Sequence, residues 1–379
     1  MTASHATIPP MRVCFPEEDI ERIARDIAGA LRAGALSGGP HVPAFEEAFA
    51  RFVGAPEAVA LSSGTAALET ILRGLGLRGA EVLVPANTFI ATASAVIHSG
   101  NEVRLVDIDP MTASPAQEHL SRVRTSRSRA VVLVHIGGLV TPQLPRIRDW
   151  CRHEGLLLIE DAAHAHGSTL GQEAAGTLGR AAAFSTFATK VLTTGEGGLV
   201  TTADGDLAQR IRVLRDHGKA ATERNLHEVI GGNWRMSEVH AILGRAQVER
   251  VPAFLETRSR IAAQYDQALS GASGLTPLRP AGASSWYKYI VLLPRGVDKT
   301  GVRERMREQG VRLSGDVYDV PLHRQPVFQG RLGESFPGAE EFAARHVCLP
   351  IYVQMSAAEV DQVVTALTTA LAAEGAGLR

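Results

Sequence analysis

At 379 residues the chain is longer than one hydrophobic core usually supports, so two domains are expected. Hydrophobic residues at 45% and charged residues at 21% exclude the disordered and fibrous classes. A net charge of −1 gives no electrostatic reason to expect nucleic acid or an anionic membrane as partner.

Cys14, Cys151 and Cys348 are scattered and form no metal-ligand spacing, which fits a reducing compartment, and no metal is expected. The N-terminal stretch MTASHATIPPMRVCFPEED has no apolar h-region, and no later run is long enough to cross a membrane. A cytoplasmic protein is therefore expected.

Residues 1 to about 15 read as a Pro-containing arm. Ile20, Ile23, Ile27 and Leu31 recur at helical spacing and predict a helix over Glu17 to Ala35. After the Gly-Gly-Pro break, Phe45, Phe49 and Phe52 mark one side of a second helix. Ala58 to Leu61 reads as a short buried strand that turns through Ser62, Ser63, Gly64 and Thr65 into a helix carrying Ala67, Ile71 and Leu75. A strand ending in a Ser/Gly/Thr turn at a helix start is either an anion site or a plain N-cap.

Strand and helix then alternate. Val82 to Val84, Val103 to Asp109, Ala130 to Gly138 and Gly155 to Gly167 read as strand regions, with a helix over Ile90 to His98. AAAFS and GGLVTT bracket a polar tract that holds Lys190. Near-continuous apolar strands separated by helices mean an α/β fold with a mostly parallel sheet covered on both faces. Ligands of such sheets sit outside the carboxyl ends of the strands. The loops there carry Gly64 and Thr65, Phe89, Asp161 with His164, and Ser185 with Lys190.

From Val251 the texture changes to a smaller α+β pattern. A long amphipathic helix is followed by a strand over Trp286 to Pro294, a helix in TGVRERMREQG, a second strand in VRLSGDVY and a terminal helix. The expected division is 1–250, with the arm, and 251–379; the final Gly-Leu-Arg is expected to fray.

An anion cradle, an aromatic plate, a carboxylate and an amine are the parts that hold pyridoxal phosphate. Gly64, Thr65 and Ser185 offer donors for a phosphate, and Phe89 offers a flat neighbour for the ring. Asp161 fits the ring nitrogen, since a carboxylate keeps it protonated, and Lys190 fits the aldehyde.

The segments SSGTAAL, VPANTFIATASAV, EDAAHAHGS, FSTFATKVLTTGEGGLVTT and GGNWRMSEVHAILGRAQ closely resemble the DegT/DnrJ/EryC1/StrS family of aminotransferases. The resemblance runs from SGGPHVPAFEEAFARFVG to CLPIYVQMSAAEV. It implies fold type I, with a large domain built on a seven-stranded type of sheet and a smaller C-terminal domain. It also implies pyridoxal 5'-phosphate as cofactor, glutamate or glutamine as amino donor, and a keto sugar, often nucleotide-linked, or a keto cyclitol as acceptor.

Within the resemblance, Lys190 is the Schiff-base lysine, Asp161 the partner of the pyridine nitrogen, and His164 a neighbour of the ring's phenolic oxygen. Gly64, Thr65 and Ser185 fall on the phosphate and Phe89 against the ring. Asn233 corresponds to a residue that crosses to the neighbouring subunit's phosphate, which implies a homodimer with shared sites. Arg235 and His323 are implied as substrate contacts, against the plainer readings of a helix brace and a structural loop histidine. Gly195 to Gly198 read as the turn that brings Lys190 to the cofactor.

The chain departs from the family at VHIGGL, Val134 to Leu139, where many sugar-acting members carry VHLYGQ, so a cyclitol, another carbocyclic ketone or an unusual sugar stays open. Lys190 argues against the related sugar 3-dehydratases, which carry His there. A 3-amino-5-hydroxybenzoate synthase type of reaction retains the lysine and stays open. A non-catalytic cofactor-binding regulator is the reading from another class, and retention of both Lys190 and Asp161 argues against it.

Overall fold

A computed structural model describes residues 7–219, 225–271, 274–333 and 335–374. The first residues of the arm and the final Gly-Leu-Arg lie outside them. The N-terminal half contains α1 (Glu17–Ala33), α2 (His41–Val53), β1 (Glu57–Leu61), α3 (Gly64–Gly74), β2 (Glu81–Pro85), α4 (Ile90–His98), β3 (Glu102–Val106), α5 (Gln117–Val123) and β4 (Ser128–Val134). It continues through α6 (Leu144–His153), β5 (Leu157–Asp161), the short β6 (Thr169–Leu170) and β7 (Glu173–Ala174), β8 (Ala181–Ser185), β9 (Gly198–Thr202) and α7 (Gly205–Arg215). The rest comprises α8 (Glu238–Ala268), β10 (Thr276–Pro277), β11 (Tyr289–Leu292), α9 (Lys299–Glu308), α10 (Pro337–Arg345), β12 (His346–Leu349) and α11 (Ala357–Ala373).

The central sheet has seven strands in the order β1-β9-β8-β5-β4-β2-β3. Pairings from β8 across to β3 are parallel, and β9 runs antiparallel to both neighbours. The expected mostly parallel α/β sheet is thus present. Its strands are apolar on both faces because helices cover both: Val59, Val82, Val132 and Ile159 enter one buried cluster, and Ala60, Leu83, Val131 and Leu158 enter another.

Phe45 and Phe49 of α2 are fully buried, and Phe49 meets Phe184 of β8 edge-on with centroids 5.0 Å apart. The apolar stripe of α1 is only half used, since Ile23 is buried while Ile20 and Leu31 are exposed. Gly34 in the left-handed region ends that helix one residue beyond Ala33.

The C-terminal part differs from its sequence reading in three ways. First, α8 is one helix of 31 residues, so the expected division at residue 250 falls inside it. Second, VRLSGDVY is no strand: Val311 bridges Ile8, and Ser314 bridges Cys348, as isolated contacts. The position beside β11 is taken by β12 instead, paired from Tyr289↔Leu349 to Leu292↔His346. Third, the arm, expected with the first division, docks on the C-terminal part through Ile8 while Pro10 to Cys14 line a cavity with Thr189, Lys190 and Val191. Ile8 donates to the Gly310 carbonyl at 2.8 Å and is buried among Val311, Val347 and Leu349. No helix among the described residues is long and apolar enough to cross a membrane.

Candidate active site

A cleft of about 340 Å³ opens where β5 and β8 end, next to the start of α3. Asp161 is the last residue of β5 and pairs in register with Ala183 of β8, which puts the loop after Ser185 directly beside it. That loop is stapled by threonines. Thr186 Oγ1 meets Thr194 Oγ1 at 2.6 Å, and the Thr194 N–H donates to the Thr186 carbonyl at 2.9 Å. Gly197 closes it at φ 156°, where a Cβ would come 2.4 Å from Thr186 Oγ1. So constrained, Lys190 faces the cleft.

Ser63 caps α3, its Oγ accepting from the Ala66 N–H at 3.1 Å. Gly64 and Thr65 are then the first two residues of the helix, where N–H groups have no intrahelical acceptor. Both line the cleft together with Ser185. A Cβ on Gly64 would lie 2.8 Å from the Ser185 Cβ, and one on Gly198 would lie 2.4 Å from the Ser63 carbonyl carbon. Only glycines let the sheet end approach the helix start this closely, and the result is a compact donor cradle for an anion.

Asp161 lines the same cleft and is 7% exposed. Its Oδ2 accepts from Thr92 Oγ1 at 2.8 Å and its Oδ1 from the Ala163 N–H at 3.2 Å. Burial raises its proton affinity, while those two hydrogen bonds and Lys190 pull it back. Lys190 has its amine brought down to about 7, first by burial, against the attraction of Asp161 and helped by the Lys288 charge. Its Nζ stands 4.5 Å from the ring centroid of Tyr287, whose hydroxyl lies 3.0 Å from Thr189 Oγ1.

The imidazole of His164 lies against the same Tyr287 ring, centroids 4.4 Å apart and planes tilted by 31°. Its Nδ1 accepts from the Gly137 N–H at 3.2 Å, and burial keeps it neutral with a proton affinity well below the ordinary value. The proton therefore belongs on Nε2, which stands 3.3 Å from the Tyr318 hydroxyl at the cleft. Phe89, 55% exposed, forms the lip, its ring 5.6 Å from that of Tyr318. The VHIGGL segment thus lines the cleft directly at Val134 and supports it through the Gly137 N–H on His164. Gly138 is held at φ 95°, with Ser285 Oγ only 2.0 Å from where a Cβ would stand, so a side chain cannot be accommodated there.

Of the residues singled out in the sequence, Gly64, Thr65, Phe89, Asp161, His164, Ser185 and Lys190 line this one cleft. Three do not. His323 is buried elsewhere with Nε2 2.8 Å from Glu340. Arg235 pairs with Asp216. Asn233, bridged to Asp216, lies outside the cleft of its own chain. Conversely Thr92, Tyr287 and Tyr318 had no signal in the sequence, because each joins the site through contacts with residues 69 or more positions away.

The donor set fits pyridoxal phosphate. Helix-start N–H groups and hydroxyls suit its phosphate, Asp161 its ring nitrogen, the Nε2–H of His164 its phenolic oxygen, and Lys190 its aldehyde.

A profile of the DegT/DnrJ/EryC1/StrS aminotransferase family matches residues 17–368. The chain is 36% identical over 362 residues to the spore coat polysaccharide biosynthesis protein SpsC of Bacillus subtilis, covering 90% of this chain and 92% of that one. It is also 36% identical over 345 residues to the dTDP-4-dehydro-2,3,6-trideoxy-D-glucose 4-aminotransferase of Saccharopolyspora spinosa, covering 86% and 88%. The crystal structure of the aminotransferase TlmJ from Streptoalloteichus hindustanus superposes with a TM-score of 0.89 at 32% identity, covering 97% of this chain and 99% of that one.

Proposed function

This chain belongs to the DegT/DnrJ/EryC1/StrS aminotransferase family, and we propose that it transfers an amino group from glutamate or glutamine to a keto sugar in aminosugar biosynthesis, with pyridoxal phosphate as cofactor. The observation that carries the reading is that Lys190 and Asp161 line one cleft together with the Gly64, Thr65 and Ser185 cradle. A nucleotide-linked acceptor is supported by the relative from Saccharopolyspora spinosa, whose name specifies a dTDP-linked 4-keto sugar.

The bound cofactor supplies an electrophilic carbon for the amine and an electron sink beside the reacting carbon. Asp161 would hold the ring nitrogen protonated, its own charge steadied by Thr92 and the Ala163 N–H. Lys190, with its amine near neutrality in proton affinity, would move the proton at the reacting carbon and return it on the acceptor. His164 would donate from Nε2 to the ring oxygen, and the start of α3 with Ser185 would anchor the phosphate. Tyr287 limits the swing of Lys190 by standing against its Nζ.

The enzyme is further read as a homodimer with shared sites. The support is that Asn233 lies outside its own cleft, and that Leu226, Val229 and Ile230 beside it are 51%, 47% and 87% exposed. Mixing Lys190→Ala with Asn233→Ala chains tests this, because a mixed dimer would regain one complete site while neither parent has one.

The transfer itself is tested by incubating the cofactor-loaded protein with glutamate and a panel of keto nucleotide sugars. A product whose mass reports a carbonyl oxygen replaced by an amino group, absent with Lys190→Ala, is expected. Release of water without nitrogen incorporation would favour a dehydratase instead.

A further inference from the structure

Behind Lys190 lies a second, narrower cavity of about 30 Å³, walled by the arm, α8 and the segment leading into β11. Thr189, Lys190 and Tyr287 line both it and the larger cleft, so the lysine stands between the two. Among the described residues four cationic side chains reach this cavity, Arg12, Lys190, Arg258 and Lys288, and no Asp or Glu lines it.

Lys190 is drawn to Asp161, but Arg258 and Lys288 are not neutralised elsewhere among the described residues. Arg258 is 7% exposed and spends its hydrogen bonds on the carbonyls of Ser285, Trp286 and Tyr287. Lys288 donates to Ser314 Oγ, and its Nζ stands 5.0 Å from the Tyr287 ring centroid. Neither makes an ion pair among the described residues. The nearest acid to Lys288, Asp316, is already held by Lys299 at 2.9 Å and Arg303 at 2.7 Å. Arg12 has a distant partner, Glu359 at 3.8 Å. Burial lowers the proton affinity of Lys288 and brings that of Arg258 to about 10, so the arginine stays charged at neutral pH. Partly buried positive charge without a counter-ion is costly, and a bound anion removes that cost.

Size and place identify the anion. A water-sized group needs roughly 10 to 15 Å³ by this measure, so the cavity holds the two oxygens of one carboxylate and excludes a diphosphate. In an amino acid the α-carboxylate is bonded to the very carbon whose proton the amine must take, and Lys190 and Lys288 flank the same Tyr287 ring at 4.5 and 5.0 Å. We propose that Lys288, seated by Ser314 and backed by Arg258, binds the α-carboxylate of the amino donor. This rests on the reading of Lys190 as the proton-carrying amine.

The test is calorimetric titration of the cofactor-loaded protein with glutarate, which has the donor's carbon chain and both carboxylates but no amino group. Lys288→Met is expected to weaken glutarate about tenfold or more, the loss of one charge-assisted contact, and Ser314→Ala about threefold. The KM for glutamate should rise in the same order. Retention of the wild-type cofactor absorbance would show that each variant is folded. Glutarate binding to Lys288→Met within about twofold of wild type, or no glutarate binding to the wild type, overturns the proposal. If no keto sugar is aminated while glutarate binding still follows Lys288, the transferase reading fails and the carboxylate site stands.

Discussion

Thr92 Oγ1 donates to Asp161 Oδ2 at 2.8 Å, and because its single proton is spent there, its oxygen must accept from Thr88 Oγ1, 2.9 Å away. Two hydroxyls thus point their dipoles at one buried carboxylate, opposing the rise in proton affinity that burial causes. Thr92→Val removes this charge-assisted bond, worth about 1.5 to 3 kcal/mol. Asp161 should then hold its proton to higher pH. The acid limb of the kcat profile is expected to move upward in pH, with turnover reduced about tenfold on that limb and less above it. Thr92→Ser restores the donor and should restore the profile.

Lys190 binds its proton less tightly in the folded protein, at about 7, than at its ordinary 10.5. Between those two values the unfolded chain carries more protons than the folded one, so stability of the cofactor-free protein rises with pH in that window, by at most about 1.4 kcal/mol per pH unit. Below it the cost of the buried charge is fully present. Lys190→Met should therefore stabilise the cofactor-free protein most at pH 6, and the advantage should shrink toward pH 10. Urea unfolding at several pH values measures this. A constant difference between variant and wild type across that range would contradict the assigned shift.

The parts of the site that lie on strand ends were legible in the sequence. Asp161, Ser185 and Lys190 follow apolar runs whose ends meet because β5 and β8 pair in parallel, and Gly64 and Thr65 start a helix after a strand. Thr92 was not legible: within ANTFIATASAV it looks like any helical threonine, and its role exists only because α4 starts beside β5. Tyr287 and Tyr318 come from the far end of the chain and enter the cleft through Thr189 and His164. The misread strand VRLSGDVY has a physical cause too. Its Val/Leu content is right for a strand, but Ser314 makes only one bridge, while HVCL at 346–349 pairs along its whole length with β11.

Gly198 is the tightest contact between sheet and cradle. A Cβ there would stand 2.4 Å from the Ser63 carbonyl carbon and 2.6 Å from the Gly64 nitrogen, both backbone atoms that cannot rotate aside. Gly198→Ala is expected to cost about 1 to 3 kcal/mol and to push the start of α3 off its position. Affinity for the cofactor's phosphate should fall by about tenfold, measured by dialysis against free cofactor. Gly205→Ala is the control, since nothing among the described residues lies within 4 Å of its Cβ and it begins α7. That change should leave cofactor affinity alone and alter stability by no more than about 1 kcal/mol.

Glu160 sits one residue before Asp161 and, by strand alternation, projects away from the cleft. It is fully buried, and both its oxygens are doubly used. Oε1 accepts from the N–H groups of Leu178 and Gly179 at 2.8 and 2.9 Å, and Oε2 accepts from the Gly176 N–H at 2.8 Å and lies 3.0 Å from His135 Nε2. This carboxylate thus ties the turn before β8 to β5, the two strands that carry Lys190's loop and Asp161. Glu160→Gln substitutes an NH2 group for one of those oxygens and faces it toward donors, so about 1 to 3 kcal/mol should be lost. Glu160→Ala strands every donor and should cost about 3 to 5 kcal/mol. Because the side chain does not reach the cleft, the Gln variant's KM for both substrates should stay near wild type at low temperature, while its urea midpoint falls. A large change in KM with an unchanged midpoint would mean instead that Glu160 acts on the reacting groups through Asp161.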